Sequence, residues 1–313
     1  MITFQDVLAA HDRIRPFIHR TPVATSRYFD DRFGGALFIK CEHFQKVGAF
    51  KARGACNAVR ILDDAMAARG VATHSSGNHA QAVAWSARHR GIPSWIVMPT
   101  NAPDVKKAAV RGYGATIVEC EPTLAAREAA LADVVERTGA HAIHPYNDDR
   151  VIAGQGTAAL ELLEDVPDLD IIMAPVGGGG LMSGTAITAR AMRADIELIG
   201  AEPASADDAR RSLATGILQP PPATATIADG LRTALGERTF DVLRSTDVRI
   251  LTATEESIRE AQYLVMERMK MVVEPSATVT LGILLENPAL ARGKRIGIVT
   301  TGGNVDIRKA MHF

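Results

Sequence analysis

At 313 residues, with 47% hydrophobic and 23% charged side chains, the chain has the composition of a globular protein long enough to bury a sizeable core, as one large domain or two lobes. Its net charge of −1 gives no electrostatic grip on nucleic acid or a membrane surface. The first sixteen residues carry acids and lack an apolar segment, so they do not read as a secretory signal, and no apolar run approaches a membrane span; three widely spaced cysteines (Cys41, Cys56, Cys120) fit a reducing, cytoplasmic setting.

In chain order, ALFIKCE (36–42), GVATHS (70–75), SWIVMP (94–99), TIVECE (116–121), DIIMAPV (170–176), ELIGAEP (197–203), DVRILTA (247–253) and RIGIVTT (295–301) read as strands. Several are continuous apolar runs, the pattern of strands covered on both faces. Helix-like segments lie between them, among them AQAVAWSARHR (80–90) and SIREAQYLVMERMK (257–270). The second follows Thr252-x-x-Glu255, a capping-box spacing, and carries an apolar stripe of Ile258, Ala261, Leu264 and Val265. This β/α succession predicts an open, mostly parallel α/β sheet covered by helices. QPPPATATIADG (219–230) reads as a loop between segments, not an interdomain linker.

The stretch FQKVGAFKARGA (44–55) raises the first chemical question. Read as a helix from position 51, it puts Lys51, Gly54, Ala55, Ala58 and Val59 on one small, apolar face and Arg53, Asn57 and Arg60 on a wet one. Either the lysine snorkels, with its ammonium in water, or it is a desolvated, nucleophilic amine able to form a Schiff base. In HSSGNHAQAVAW (74–85), Ser75, Ser76, Gly77 and Asn78 either present hydroxyls and N–H groups to a carboxylate or merely cap the following helix. His74 and His79 lack metal-ligand spacing and read as structural. In APVGGGGLMSGTAITARAM (174–192), four glycines separate a buried strand from a helix. That placement suits an anion cup of free N–H groups, although the motif is neither G-x-G-x-x-G nor a Walker loop. GAEPASADDARRS (200–212) sets Glu202, Asp207 and Asp208 after a strand. Carboxylates with backbone carbonyls suit Mg²⁺, Mn²⁺ or Ca²⁺, while the plainer reading has Asp207 and Asp208 complementing a helix start. IVTTGGNVD (298–306) closes the last strand with Thr301, either a ligand contact at a strand C-terminus or part of a glycine turn.

Together, in order and along nearly the whole chain, FQKVGAFKARGA, HSSGNHAQA, YGATIVECEP, HPYNDDRVIAGQGT, PVGGGG, AEPASADD, TIADGLR, VEPS and TTGGNVD resemble the fold-type II pyridoxal-phosphate enzymes. Within them the chain is similar to the group of serine racemase, serine/threonine dehydratase and 3-hydroxyaspartate dehydratase. The resemblance implies a two-lobed, tryptophan synthase β-like α/β fold, with residues 1–69 and 148–313 as the large cofactor-binding domain and 70–147 as a small domain that closes on substrate. It implies that Lys51 is the Schiff-base lysine with Phe50 packed beside it, that Gly177, Gly178, Gly179, Gly180 and Leu181 hold the cofactor phosphate, that Asn78 bonds the ring hydroxyl and that Thr301 meets the pyridine nitrogen. Ser75, Ser76, Asn78 and His79 match the loop that holds the substrate carboxylate, and Ser76 also matches the serine that faces the lysine across the cofactor plane in serine racemase. Glu202, Asp208 and the carbonyl of Ala206 match a divalent-metal site. Arg127 matches an arginine that reaches toward a second carboxylate on dicarboxylate ligands, and HPYND (144–148) resembles the 3-hydroxyaspartate dehydratases more than mammalian serine racemase, which differs at Tyr146. Gln81 and Tyr113 match the racemase nucleotide region, but Val47 replaces its threonine, which argues against activation by ATP. The implied activity is removal of water and ammonia from a β-hydroxy amino acid, 3-hydroxyaspartate or serine and threonine, with serine racemisation or L-threonine deamination as alternatives; the implied assembly is a homodimer. A non-catalytic cofactor-binding regulator and a cysteine-synthase-like β-replacement enzyme share the fold. The intact Lys51 and Ser76 loop weigh against the first, and AEPASADD against the second.

Overall fold

The apolar runs become strands of two separate sheets. A computed structural model of the chain describes residues 2–220 and 225–307; four residues of the Pro-rich stretch, 221–224, lie outside the described residues. The strands are β1 (Val23–Ala24), β2 (Ala36–Cys41), β3 (Val71–His74), β4 (Ser94–Pro99), β5 (Thr116–Cys120), β6 (His141–Ala142), β7 (Ile171–Pro175), β8 (Glu197–Pro203), β9 (Arg249–Ala253) and β10 (Arg295–Thr300). Six form one sheet in the order β1-β2-β10-β7-β8-β9, where only β1 pairs antiparallel. The other four form a wholly parallel sheet, β5-β4-β3-β6, drawn entirely from residues 71–142.

Alternation along the buried strands feeds two cores, one on each face of the larger sheet. Ile171, Met173, Ile199 and Ile298 enter one, Ile172, Ala174, Leu198 and Val299 the other. The smaller sheet repeats this, with Val71, Ile96 and Met98 on one side and Ala72 and Val97 on the other. All eight strands read from the sequence are present; β1 and β6, two residues each, are too short to leave a pattern. No helix among the described residues is long and apolar enough to cross a membrane.

Two helical readings need correction. The helix at Glu255–Leu264 is capped by Thr254, whose hydroxyl accepts from the Ser257 N–H at 3.2 Å, because Thr252 still belongs to β9. Its apolar stripe is buried as read, from Ile258 to Val265. The helix at Lys51–Arg60 has no wet face at Arg53, which is fully buried with 0% of its surface exposed. Its guanidinium forks onto Glu42 (2.8 and 2.8 Å) and onto Glu161 (2.8 and 2.7 Å), and adds Thr157 Oγ1 at 3.1 Å. Lys40, also fully buried, closes the set on Glu161 at 2.7 Å. Two cations therefore face two carboxylates, which is the condition for keeping such charges out of water. The helix also crosses the one at Asp149–Asp165 at bare backbone: a Cβ on Gly154 would lie 2.6 Å from Gly54 Cα, and one on Gly54 would strike the Gln155 side chain at 2.4 Å. Ion network and glycine crossing together fix where Lys51 begins.

Candidate active site

The motifs converge at the carboxyl ends of the strands. Lys51 follows β2, Ser75–Gly77 follow β3, Tyr146 follows β6, the glycine run follows β7 and Thr301 follows β10. This is where open α/β sheets bind ligands. The Lys51 Nζ donates to the Pro145 carbonyl at 2.9 Å and lies 5.0 Å from the Phe50 ring centroid. Its ammonium is turned inward on a carbonyl, so it does not snorkel. Burial pushes its pKa down to about 8, against the opposing pull of the Glu274 charge.

The glycine run forms a cup of donors. The N–H groups of Gly177, Gly178 and Gly179 have no hydrogen-bond partner among the described residues, and the first turn of the helix at Gly180–Met192 adds N–H groups that have none within the helix. Gly179 adopts φ +86°, a left-handed conformation that glycine accepts freely. Tyr146 lies directly on the cup, so that a Cβ on Gly178 would meet its ring at 2.3 Å.

Thr301 is 4% exposed, and its Oγ1 is buried without a partner among the described residues. Its carbonyl accepts from the Phe50 N–H at 3.0 Å, which ties it to the lysine. Asn78 donates to both oxygens of buried Glu274, at 2.9 and 3.2 Å, and its Oδ1 accepts from Asn304 at 2.9 Å. Burial pushes Glu274 up to about 7, with the Asn78 bond opposing. The sequence reading missed Glu274 as a site residue, although its motif VEPS was in view.

The ordinary explanation of the Ser75–Asn78 turn fails. Gly77 is the N-cap of the helix at Asn78–Arg90, and no side chain caps it. The Ser76 hydroxyl has no partner among the described residues, while Ser75 Oγ accepts only from the Gly77 N–H at 3.3 Å. His79 is 2% exposed with its ring on the Ile143 carbonyl at 3.3 Å, so its side chain is structural, and what it offers the turn is its backbone. His74 is half-buried, and its ring has no hydrogen-bond partner among the described residues. Arg127, on the helix at Leu124–Thr138, gives only its Nε, to the Thr123 carbonyl at 3.4 Å; its charge lowers His74, which burial has already lowered more.

Behind the cup lie Glu202 and Asp208, each 1% exposed. Glu202 accepts from the Ala209 and Arg210 N–H groups at 2.9 and 2.8 Å, so Glu202, not Asp207 or Asp208, serves the helix start there. Asp207 instead pairs with Arg210 and Arg211. Asp208 accepts from the Leu235 N–H at 3.3 Å, and the Leu235 side chain abuts Gly179. Neither Glu202 nor Asp208 has a cationic partner among the described residues, and burial pushes them up to about 8 and about 6. No cluster of three or more His, Cys, Asp or Glu suited to a metal occurs among the described residues, so any cation here relies on two carboxylates and a carbonyl.

Residues 14–302 match the family described as pyridoxal-phosphate dependent enzyme. The chain belongs to that family. The cofactor suits the residues present: an inward amine with a depressed pKa, an empty-handed anion cup and an orphaned buried hydroxyl meet the three polar corners of pyridoxal phosphate. This pyridoxal-phosphate enzyme is 50% identical over 307 residues to a beta-hydroxyaspartate dehydratase of Paracoccus denitrificans, with 98% of each chain covered. It is 45% identical over 310 residues to a serine racemase of Dictyostelium discoideum, covering 98% of this chain and 96% of the other. Its fold matches the solved structure of maize serine racemase with a TM-score of 0.96 at 44% identity, covering 99% of this chain and 96% of that one.

Proposed function

We propose that this pyridoxal-phosphate enzyme is an ammonia-lyase that removes water and ammonia from a β-hydroxy amino acid, with L-threo-3-hydroxyaspartate the preferred substrate and L-serine and L-threonine handled less well. The observation that carries the reading is Lys51: an amine with a pKa of about 8 is suited both to capture a carbonyl and to act as a base near neutral pH. The cofactor, when bound, supplies the electron sink that makes a Cα–H bond acidic. Lys51 anchors it, and on release takes the Cα proton on Nζ. The free N–H groups from Gly177 to Gly180, with Leu181 in the helix's first turn, hold its phosphate. Thr301 would offer one neutral hydroxyl to the ring nitrogen and, lacking charge, would not hold a proton there. Asn78 meets the ring hydroxyl, and the loop of Ser75, Ser76, Asn78 and His79 holds the substrate carboxylate through hydroxyls and backbone N–H groups. Residues 70–147, which carry the four-stranded sheet, act as the lobe that closes over the substrate.

Glu202, Asp208 and the Ala206 carbonyl suit a divalent cation, Mg²⁺, Mn²⁺ or Ca²⁺, because the two buried carboxylates there form no ion pair among the described residues. The substrate preference is supported by Arg127, a cation whose charge reaches His74 and which forms no ion pair among the described residues, and by the likeness to the Paracoccus dehydratase. One observation favours racemisation as a second activity: the Ser76 hydroxyl has no hydrogen-bond partner among the described residues and could deliver a proton.

The test is release of ammonia and keto acid from L-serine, L-threonine and both diastereomers of L-3-hydroxyaspartate, with Mg²⁺ and with chelator. At least tenfold higher kcat/KM on one hydroxyaspartate isomer supports the reading. Preference for serine with D-serine formation replaces it with the racemase.

A further inference from the structure

Asn78 sits between two neighbours to which the reaction described above gives no part. Its Nδ2 lies 2.9 Å from Oε1 and 3.2 Å from Oε2 of Glu274. The two N–H bonds of an amide diverge, so one is shared between the carboxylate oxygens and the other points away. That second N–H has no acceptor among the described residues. On the other side, Asn78 Oδ1 accepts from Asn304 Nδ2 at 2.9 Å, and the same Nδ2 donates to the Val47 carbonyl at 2.8 Å. Glu274 is 6% exposed, and its charge acts on Lys51, so this chain of groups borders the site. Gly302 lets it close up: a Cβ there would lie 2.5 Å from Glu274 Oε1 and 3.2 Å from Asn78 Nδ2.

An amide turned end for end keeps its shape and exchanges its donor and acceptor faces. The two neighbours oppose that exchange in different ways. A peptide carbonyl only accepts, so Val47 keeps the Asn304 Nδ2 turned inward, and an Nδ2 there requires an oxygen from Asn78. The carbonyl is itself held firmly, since Val47 is a β-branched residue kept at φ +55° by its surroundings. This lock does not titrate, but Asn304 is exposed and its bonds compete with water. Glu274 is the reverse. An ionised carboxylate only accepts, so it requires the Asn78 nitrogen, and its burial makes the bond strong. Yet burial also pushes Glu274 up to about 7, with Asp229 adding to the rise and Lys106 opposing it, and a protonated carboxyl can donate to an amide oxygen. Each neighbour covers the other's weakness.

We infer that Glu274 and Asn304 are positioning residues that lock the Asn78 amide with its free N–H turned to the cofactor's ring oxygen. The inference rests on the reading that Asn78 meets that group, and adds what fixes the polarity of the contact. A ring hydroxyl can donate to an amide oxygen or, deprotonated, accept from an amide N–H. A locked donor selects the deprotonated form. The alternative is that Glu274 and Asn304 only tie the loop at 302–304 to the turn at 75–78.

The ionised and neutral forms of that oxygen absorb at different wavelengths, so the ratio of the two bands of bound pyridoxal phosphate reads the polarity of the amide without turnover. Holoenzymes matched for fold by circular dichroism are compared at one pH, and cofactor dissociation constants are measured by titration. Glu274→Gln offers a donor and an acceptor in the same shape, and Asn304→Ala removes the other lock. Each alone should lower the ratio of ionised to neutral form only in part, since the remaining neighbour still selects one orientation. The double variant should lower it by about tenfold, more than the two single effects multiplied. Glu274→Asp in the Asn304→Ala background keeps a group that only accepts and should recover part of the ratio. Asn78→Ala should lower both the ratio and the cofactor affinity. If Asn78→Ala does so while the double variant keeps the ratio within about twofold of the wild type, a change too small for a lost lock, the inference is overturned and the Asn78 reading stands. If Asn78→Ala leaves both unchanged, that reading falls and the inference with it.

Discussion

Lys51 and Thr301 each make a distinct prediction at the scale of one side chain. Because burial lowers Lys51 to about 8, its amine is free above that pH, and capture of pyridoxal phosphate by the apoprotein should accelerate as pH rises through about 8, not through the 10.5 of an ordinary lysine. Stopped-flow absorbance over pH 6–10 reads this, and Lys51→Ala should show neither the absorbance change nor turnover. Thr301 keeps a buried hydroxyl without a partner, which costs about 1–3 kcal/mol. Thr301→Val, similar in shape and without the hydroxyl, should leave the apoprotein as stable or more so by about 1 kcal/mol in urea, while cofactor affinity falls. Loss of stability in the apoprotein with unchanged cofactor affinity would reverse that assignment. In the sequence Lys51 stands between a snorkelling lysine and a desolvated amine, and only the resemblance decides for the amine. Thr301 could not be separated from a glycine turn, since an unsatisfied hydroxyl is a property of its surroundings.

Elements were legible in proportion to how local their cause is. Strands covered on both faces carry their burial as continuous apolar runs, and β7 and β8 could be read directly. The polarity of the helix at Lys51–Arg60 could not, because the acids that make Arg53 a core residue lie 11 and 108 positions away. Its burial is a tertiary fact, and intrinsic polarity pointed the wrong way. That error locates the next prediction. Arg53→Ala strands Glu42 and Glu161 with one lysine between them and should destabilise by about 3–5 kcal/mol in urea; Arg53→Lys keeps the charge but loses both forks and should fall between. Burial alone would raise Glu161, but the bonds and charges of Arg53 and Lys40 outweigh it and hold the group below the usual range. A lowered carboxylate contributes stability above its unfolded pKa and loses it as pH falls through the folded one. Wild-type stability should therefore decline in acid below the ordinary glutamate range, and that decline should be smaller in Arg53→Ala. An identical acid profile in both would show the network is not what titrates.

At the scale of the whole molecule, the site is a meeting of distant segments: Asn78 contacts Glu274 across 196 positions, and Lys51 contacts Pro145 across 94. Single motifs could suggest cups and turns, but only their ordered set, taken as a resemblance, predicted that they converge. The same holds behind the glycine cup, where the sequence alone favours helix-start aspartates while Glu202 does that work and Asp208 has no ion pair among the described residues. Two buried carboxylates pushed upward in pKa are a liability that a divalent cation removes, and Leu235 connects Asp208 to Gly179 of the cup. A ligand that binds only the folded state raises its stability by mass action. Mg²⁺, Mn²⁺ or Ca²⁺ added to chelator-treated protein should then raise the melting temperature by about 2–4 °C per kcal/mol of binding in excess, and cofactor affinity should rise with it because the cup is braced. Glu202→Gln removes one negative ligand but retains an acceptor for the Ala209 N–H, so it should fold and lose the metal response. A melting temperature that rises equally in wild type and Glu202→Gln would place the cation elsewhere. No rise in either would mean that the two carboxylates are held protonated by burial alone and that the cup stands without a brace.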